Sequence, residues 1–317
     1  MVAVLKTAVC VLLDITYPII QGGMAHVGTA ELVSAVSNAG GLGIIGTGHY
    51  PPDWVQHQIT QTRKMTSRPF GVNLALTSPF TRELVDIIIR EKAAAVTTGA
   101  GNPGAYIPRF KQAGIKFMPV VASVAAARRM EQAGADAIVA EGMESGGRIG
   151  ETTTMALVPQ VADAVKVPVI AAGGIADGRG MAAALALGAQ GIQMGTRFVC
   201  SSECIAHPGY KQKIVAADDT ATMVTHRTTG YPLRTLRNTL SQQFEELEKA
   251  GVPKEDLELF DRDRMYLGLI EGDLEGGALL SGQIAGLIKD IKPVKSIIEE
   301  IIAEAEAVIA RLQGTGK

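Results

Sequence analysis

The sequence predicts an α/β fold, a (β/α)8 TIM barrel with a helical cap after its eighth strand. A short apolar run followed by an amphipathic stretch of helical period recurs eight times between residues 18 and 198. Runs such as 42–46 and 167–173 are apolar throughout, as expected of parallel strands buried on both faces. The chain has 317 residues, enough for the ~250 of such a barrel and an appendage. A doubly wound sheet is the alternative, but it usually needs fewer strands.

The repeated unit assigns the elements in order. We predict strands that start about 20 to 30 residues apart, at residues 18–22, 42–46, 70–76, 94–99, 116–121, 137–142, 167–173 and 191–198. The helix at 29–39 ends at Gly40, and Ser78 is expected to cap the next helix with Pro79 at its first position. Ser123 and Thr152 are expected to cap two later helices.

After residue 198 the regular unit stops. We predict further helices at residues 210–217, 233–250, 254–269, 277–289 and 293–312, with no buried strand between 207 and 275. The chain therefore divides into a barrel domain at 1–205, a helical cap on the substrate side at 206–275, and closing helices at 276–317 that pack back on the barrel.

Composition argues against several classes of protein. Thirty basic and 32 acidic residues give a net charge of −2, without the basic excess of most nucleic-acid binders. The uncharged stretch 32–52 is broken by glycines and a Pro-Pro pair, so it is not expected to span a membrane. The apolar run 9–13 lacks a cleavage site, and three cysteines are too few for a disulfide framework. We expect a cytoplasmic protein without membrane or nucleic-acid partners.

In a barrel of this kind the active site lies at the C-terminal ends of the strands. Gly173 and Gly174, and then Gly195 and Thr196, follow the last two strands and offer unshielded backbone N–H groups for a phosphate. The alternative is that these glycines only turn the chain. No Gly-x-Gly-x-x-Gly motif follows the first strand, so a Rossmann dinucleotide site is not expected. No metal site is expected either, because Cys200-Ser-Ser-Glu-Cys204 has no second ligand pair.

Several strand-end motifs together resemble one known family. They are Gln21-Gly22-Gly23-Met24-Ala25, Pro69-Phe70-Gly71-Val72-Asn73, Thr97-Thr98-Gly99-Ala100-Gly101-Asn102-Pro103, Ala140-Glu141-Gly142-Met143-Glu144-Ser145-Gly146-Gly147, Ala171-Ala172-Gly173-Gly174-Ile175 and Gln193-Met194-Gly195-Thr196-Arg197-Phe198. The chain resembles the nitronate monooxygenase (2-nitropropane dioxygenase) superfamily of flavin barrels from about residue 10 to 313. Within it the resemblance favours the flavin-dependent, class II enoyl-acyl-carrier-protein reductases of fatty-acid synthesis, in which a stretch like Gly282-Gln283-Ile284-Ala285-Gly286 is typical.

The resemblance implies FMN in the barrel mouth, NADH or NADPH as co-substrate, and a trans-2-enoyl thioester on acyl carrier protein or CoA as substrate. It also implies a homodimer. It implies that the FMN is bound by Gly22, Gly23, Met24, Ala25, Asn73, Thr98, Glu141, Gly146, Gly147, Gly173, Gly174, Gly195 and Thr196. An acidic carrier favours a basic surface, for which Arg227, Arg234 and Arg237, with Lys211 and Lys213, are candidates.

Three catalytic candidates depart from the family pattern or supplement it. Arg148 stands where the family has a histidine beside the flavin. An arginine cannot accept a proton at neutral pH, but as a fixed cation it can hold an enolate or nitronate oxygen or a pyrophosphate. His26 is the candidate for the missing imidazole or else packs under its loop, and Tyr231 is a hydrogen-bond donor or a packing residue.

Three alternatives to the enoyl reductase stay open. They are a nitronate monooxygenase that uses FMN and O2, a quinone-type NAD(P)H flavin reductase, and a flavin-binding protein of low turnover. The last alternative rests on Arg148, because loss of the family histidine is compatible with an impaired enzyme.

Overall fold

Eight parallel strands form a barrel sheet within residues 5–99 and 101–314, the part of the chain that the computed structural model describes. Ala100, in the motif at the end of the fourth strand, lies outside the described residues. The barrel strands are β1 (Ile19–Gln21), β2 (Gly43–Gly46), β3 (Phe70–Ala75), β4 (Ala95–Gly99), β5 (Lys116–Val121), β6 (Ile138–Glu141), β8 (Val169–Ala172) and β9 (Gly191–Met194), and the short β7 (Gly147–Arg148) lies outside the barrel. Their spatial order is β1-β9-β8-β6-β5-β4-β3-β2. The predicted (β/α)8 barrel is confirmed.

The barrel closes at a seam between β1 and β2. Only the Ile20–Leu42 bridge joins the two strands there. It is supported by the Gln21 amide donating to the Leu42 carbonyl at 2.9 Å and the Leu42 amide donating to the Ile19 carbonyl at 3.0 Å. All other neighbouring barrel strands in the described sheet pair in continuous parallel registers.

The barrel has an outer layer of helices and a plug at its N-terminal end. The outer helices are α2 (Ala30–Asn38), α3 (Pro52–Met65), α4 (Thr81–Arg90), α5 (Ile107–Gln112), α6 (Val124–Ala133), α7 (Thr154–Ala164) and α8 (Gly178–Ala186). The first helix, α1 (Ala8–Leu13), buries Val9, Cys10 and Leu13 against inward-facing strand residues such as Ile44 and Val139. Because this end of the barrel is closed by apolar packing, ligand access is left to the other end.

One of the three predicted helix caps is confirmed. The Ser123 side chain accepts a hydrogen bond from the Ala126 amide, as predicted. The Ser78 prediction is wrong: Ser78 forms a turn with Thr81, whose hydroxyl donates to the Ser78 carbonyl at 2.6 Å, and the helix starts only at Thr81. The Thr152 prediction is also wrong, because the helix starts at Thr154 after Thr153, which makes no side-chain cap.

Past the barrel, the expectation of helices without a buried strand is wrong. The strand predicted at 191–198 ends at Met194, and a one-turn helix α9 (Thr196–Val199) follows it. The chain then forms α10 (Pro208–Val215), β10 (Thr222–Thr225), β11 (Leu233–Leu236), α11 (Thr239–Lys249), α12 (Lys254–Phe260), α13 (Arg264–Tyr266) and a π-helical turn, Leu267–Glu271. The strands β10, β11 and β7 pair into an antiparallel three-stranded sheet. The helix predicted from residue 233 starts at Thr239 because residues 233–236 pair with β10, and 233–234 also with β7; Asn238 then makes a capping box with Ser241.

The C-terminal segment returns to the barrel. The helix predicted at 277–289 reduces to a 3-10 turn, Gln283–Leu287, because the amides of Gly282 and Gln283 donate to Thr196 and Glu144 of the barrel. The last helix, α14 (Val294–Gly314), confirms the helix predicted at 293–312 and packs against α8 and α2. The three-domain division stays a prediction. Within residues 5–99 and 101–314, no helix has both the length and the apolar character needed to cross a bilayer.

Candidate functional site

The carboxyl ends of the eight barrel strands meet at one end of the barrel, which we call the mouth. Because the strands are parallel, the residues that follow them come together there. Every cofactor-binding residue expected from the sequence lies in such a segment: 22–25 after β1, 73 in β3, 98 in β4, 141–147 at and after β6, 173–174 after β8, and 195–196 after β9. The barrel therefore collects these residues at one end of the fold.

The loop after β1 lies tightly against its neighbours. A Cβ atom built on Gly23 would fall 2.1 Å from the Cβ of Asn73, and one on Gly195 would fall 3.4 Å from the Met24 sulfur. The Asn73 side-chain amide donates to the Thr97 hydroxyl at 2.9 Å, which fixes the Asn73 side chain. Glycine at position 23 thus allows the loop backbone to touch β3, a closeness that any side chain would prevent.

Three glycine segments lie close to one another at the strand ends. Gly173 and Gly174 both have positive φ, +82° and +72°, and a Cβ on Gly173 would lie 2.8 Å from the Gly142 carbonyl oxygen. Gly146 lies so close to Gly282 that a Cβ would come within 2.8 Å of the Gly282 nitrogen. The same Gly282 nitrogen donates to the Thr196 hydroxyl at 3.0 Å, and this bond links the third segment, residues 195–196, to Gly146.

Buried polar atoms at the mouth lack partners within the described part of the chain. The Ser145 hydroxyl and the Gln193 side-chain oxygen are buried there without a hydrogen bond. Buried polar groups are normally satisfied, so these atoms suit a polar ligand. With the unshielded glycine backbone beside them, which suits a phosphate, they form a donor and acceptor set that fits the hydroxyl chain and phosphate of FMN.

Glu141 ends β6 with its side chain in the mouth, partly accessible and otherwise enclosed by protein. Burial raises the pKa of Glu141 to about 7. A carboxylate without a compensating charge is costly to bury, so the proton is retained instead. Near neutral pH this carboxyl group can therefore both hold and release a proton.

His26 is held between the first loop and the helical cap. Its Nδ1 lies 2.8 Å from the Tyr50 hydroxyl, and its ring makes an edge contact with Tyr266 at a centroid distance of 5.6 Å. Tyr50 in turn stacks on Trp54 at 3.9 Å. Burial lowers the pKa of His26, so the imidazole is neutral at pH 7. Its contacts anchor the loop to Tyr266 of the cap.

Arg148 and Tyr231 come together away from His26. The guanidinium carbon of Arg148 lies 5.0 Å from the centroid of the Tyr231 ring, and both side chains are exposed. Arg148 belongs to β7, where its backbone pairs with Leu233. The structure thus joins two of the three catalytic candidates and leaves His26 in a separate cluster with Tyr50 and Tyr266.

Only some of the basic residues expected to face an acidic carrier can do so. Arg234 is buried and donates to the Met143 carbonyl and the Thr222 hydroxyl at 3.1 to 3.2 Å. Lys211 is buried and donates to the carbonyls of Ser201 and Cys204. These two cations serve the fold, and the expectation that they face an acidic partner is wrong.

The sequence analysis placed Ser145 and Gln193 in strand-end motifs but gave neither a binding role, and it missed Tyr50 altogether. The signal for Gln193 was a polar residue inside an otherwise apolar strand, whereas Tyr50 gives no local signal. Cys200 and Cys204 are free and buried, and burial raises the pKa of Cys200 to about 12. No cluster of three or more histidine, cysteine or carboxylate side chains suited to a metal occurs in the described ranges.

Comparisons with known proteins agree on one family. The family model described as nitronate monooxygenase matches residues 6–304. The structure of FabK from Thermotoga maritima has 51% sequence identity and a TM-score of 0.96, over 98% of this chain and 99% of that chain.

Two relatives are each 34% identical to this chain. One is (3aS,4S,5R,7aS)-5-hydroxy-7a-methyl-1-oxo-octahydro-1H-indene-4-carboxyl-CoA dehydrogenase of Mycobacterium tuberculosis, over 95% of this chain and 96% of the relative. The other is a probable nitronate monooxygenase of Staphylococcus saprophyticus, over 97% and 99%.

Proposed function

The chain belongs to the nitronate monooxygenase family of flavin-dependent oxidoreductases, and from that premise we propose that it is an FMN- and NAD(P)H-dependent enoyl-acyl-carrier-protein reductase. The observation that carries the proposal is the match to FabK over nearly the whole of both chains, and Arg148, next to the glycines of the mouth, is compatible with it. An arginine cannot abstract a proton from a neutral nitroalkane, whereas neither enoyl reduction nor oxidation of a preformed nitronate needs a base. The relative named for a carboxyl-CoA substrate supports an acyl thioester.

The residues at the mouth divide the binding of FMN among them. Gly146, Gly147, Gly173 and Gly174, with Gly195 and Thr196, would hold the phosphate through backbone N–H groups and one hydroxyl. Asn73, Ser145 and Gln193 would bind its polar chain and ring edge, and Met24 would pack on the ring. When bound, FMN would supply the hydride-transfer chemistry between NAD(P)H and the β-carbon of the enoyl thioester.

The protein must then supply a proton and stabilise charge. Hydride at the β-carbon leaves negative charge on the thioester oxygen, and a proton at the α-carbon completes the saturated acyl product while NAD(P)+ is released. Glu141 is the group that holds a proton at neutral pH, because burial raises its pKa to about 7. His26 is neutral, and its hydrogen bond with Tyr50 positions the loop that carries Met24.

The test is anaerobic stopped-flow absorbance of FMN-loaded protein, mixed first with NADH or NADPH and then with crotonyl thioester. We expect bleaching of the oxidised flavin band and its return on adding the thioester. Bleaching without return discards the enoyl substrate and favours a quinone-type acceptor. Absence of bleaching discards the reductase.

The second candidate is a nitronate monooxygenase, which the matched family model and the Staphylococcus relative favour. It requires oxygen uptake that depends on added nitronate and not on NAD(P)H. Without either activity, the protein is a flavin binder of low turnover. A cytoplasmic location, a homodimer and the acyl carrier protein as partner stay predictions; sedimentation and pull-down with acyl carrier protein test the last two.

A further inference from the structure

Two cations lie against the exposed ring of Tyr231. The guanidinium carbon of Arg148 lies 5.0 Å from the centroid of that ring, and the ammonium nitrogen of Lys254 lies 5.2 Å from the same centroid. The two charges are therefore at most about 10 Å apart, which is comparable to the Debye length at physiological salt. Tyr231 is 54% exposed, so the arrangement faces solvent. Two cations held this close together attract an anion placed between or beside them.

The backbones that carry Arg148 and Tyr231 are held by hydrogen bonds, and Lys254 is the first residue of α12. Arg148 pairs with Leu233 in the three-stranded sheet, and the Ile149 amide donates to the Pro232 carbonyl at 3.0 Å. The loop that carries Tyr231 is held at its other end by Glu248, which accepts from the amides of His226 and Thr228. The cations are thus presented by rigid elements rather than by a free loop.

The protein neutralises these cations poorly. No ion pair to Arg148 occurs within residues 5–99 and 101–314. Lys254 contacts Glu258 at 3.6 Å, and the neighbouring Arg227 contacts Glu151 at 3.7 Å, both as exposed pairs with long distances. Pairs of this kind contribute little, so Lys254 is available to a stronger anion.

We propose that Arg148 and Lys254, gathered by Tyr231, form a phosphate-binding clamp that recognises a phosphate of an incoming substrate. Arg148 follows directly after Gly146 and Gly147, so the clamp adjoins a glycine segment assigned to the FMN phosphate. Arginine offers a fork of donors to phosphate oxygens and lysine a mobile charge. The inference rests on the proposed function. The phosphate is either the one that NADPH has and NADH lacks, or one on the arm that carries the thioester.

Equilibrium binding tests the clamp without turnover, so its failure is distinct from failure of enoyl reduction. On FMN-loaded protein we compare dissociation constants for NADP+ and NAD+, and for CoA and pantetheine, which lacks phosphate. Lys254→Gln should lower either the preference for NADP+ over NAD+ or the preference for CoA over pantetheine about fivefold. Arg148→Gln should lower the same preference, and Tyr231→Phe, which keeps the ring, should retain it while Tyr231→Leu loses it.

The matched control is Lys295→Gln, which removes the same charge from another exposed i,i+4 pair, Lys295–Glu299 at 3.8 Å. A change in the NADP+ preference identifies the nucleotide phosphate, and a change in the CoA preference identifies the carrier arm. The proposal is overturned if neither preference moves, if Lys295→Gln has the same effect, or if Lys254→Gln instead changes the preference for FMN over riboflavin.

Discussion

Gln21 and Ile44 exchange two hydrogen bonds across the seam where the barrel closes. The Gln21 side-chain nitrogen donates to the Ile44 carbonyl at 3.2 Å, and the Ile44 amide donates to the Gln21 side-chain oxygen at 3.0 Å. Both residues are fully buried. The Gln21 side-chain amide therefore replaces the backbone hydrogen bonds that β1 and β2 do not make with each other at this point.

Gln21→Ala should destabilise the protein by about 3 kcal/mol, because the Ile44 amide and carbonyl would be left buried without partners. Urea unfolding of the wild-type and variant proteins measures the loss. Gln190→Ala provides the control, because that glutamine lies at an exposed position and bonds the Ala8 amide near the chain start. Equal losses in the two variants would contradict the role given to the seam.

Gly23→Ala should destabilise the protein by about 2 kcal/mol and weaken FMN binding at least about tenfold, because the added methyl group collides with Asn73. Asn73→Gly removes the atoms that are struck. A double-mutant cycle measured by thermal unfolding should show a smaller cost of Gly23→Ala in the Asn73→Gly background. Additive costs would show that the collision is not the cause.

The stability of flavin-free protein should fall as pH rises through the range 4.5 to 7. In this range folded Glu141 keeps a proton that the unfolded chain has lost, since its pKa rises from 4.5 to about 7. Unfolding then releases a proton, and the full penalty of about 3 kcal/mol is present above pH 7. Below pH 4.5 both states are protonated and the penalty vanishes.

Glu141→Gln cannot titrate and supplies the comparison for this pH dependence. Urea unfolding at pH 5 and pH 8 should show wild type losing about 2 to 3 kcal/mol more than the variant. Parallel pH profiles would mean that the carboxyl group is charged in the folded protein.

Glu144→Ala should cost about 1 to 2 kcal/mol. The Glu144 carboxylate accepts from the Thr154 amide at 2.8 Å and from the Thr154 hydroxyl at 3.0 Å, and so caps α7 from the loop that precedes it. Glu299→Ala, at an exposed site on α14, removes the same charge and should cost less than about 0.5 kcal/mol. Chemical denaturation of both variants measures the difference, and equal costs would reject the capping role.

The sequence predicts the barrel and much of the mouth because both depend on local patterns. Each strand and helix is marked by its own apolar period, and parallel strands bring their ends together whatever the loops contain. Gly173, Gly174, Gly195 and Thr196 therefore lie at the mouth, as expected.

The three-stranded sheet and the Glu144 cap could not be predicted in this way. β7 is two residues long and pairs with β11, far along the chain, so no window around either segment contains the partner. Residues 233–236 lie just before a helix and continue its apolar pattern, so the local sequence predicts a longer helix that includes them. The pairing of Arg148 with Tyr231 follows from that same non-local sheet.

The register of β1 against β9 has a consequence for synthesis of the chain. Gln21 pairs with Met194, so one edge of β1 has no strand partner until about 170 further residues have been made. At roughly 5 to 20 residues per second, translation leaves that edge open for about 10 to 35 s. Because β1 is only three residues long, it offers a short template to other nascent chains during that interval. The brevity of the strand thereby limits aggregation before the barrel closes.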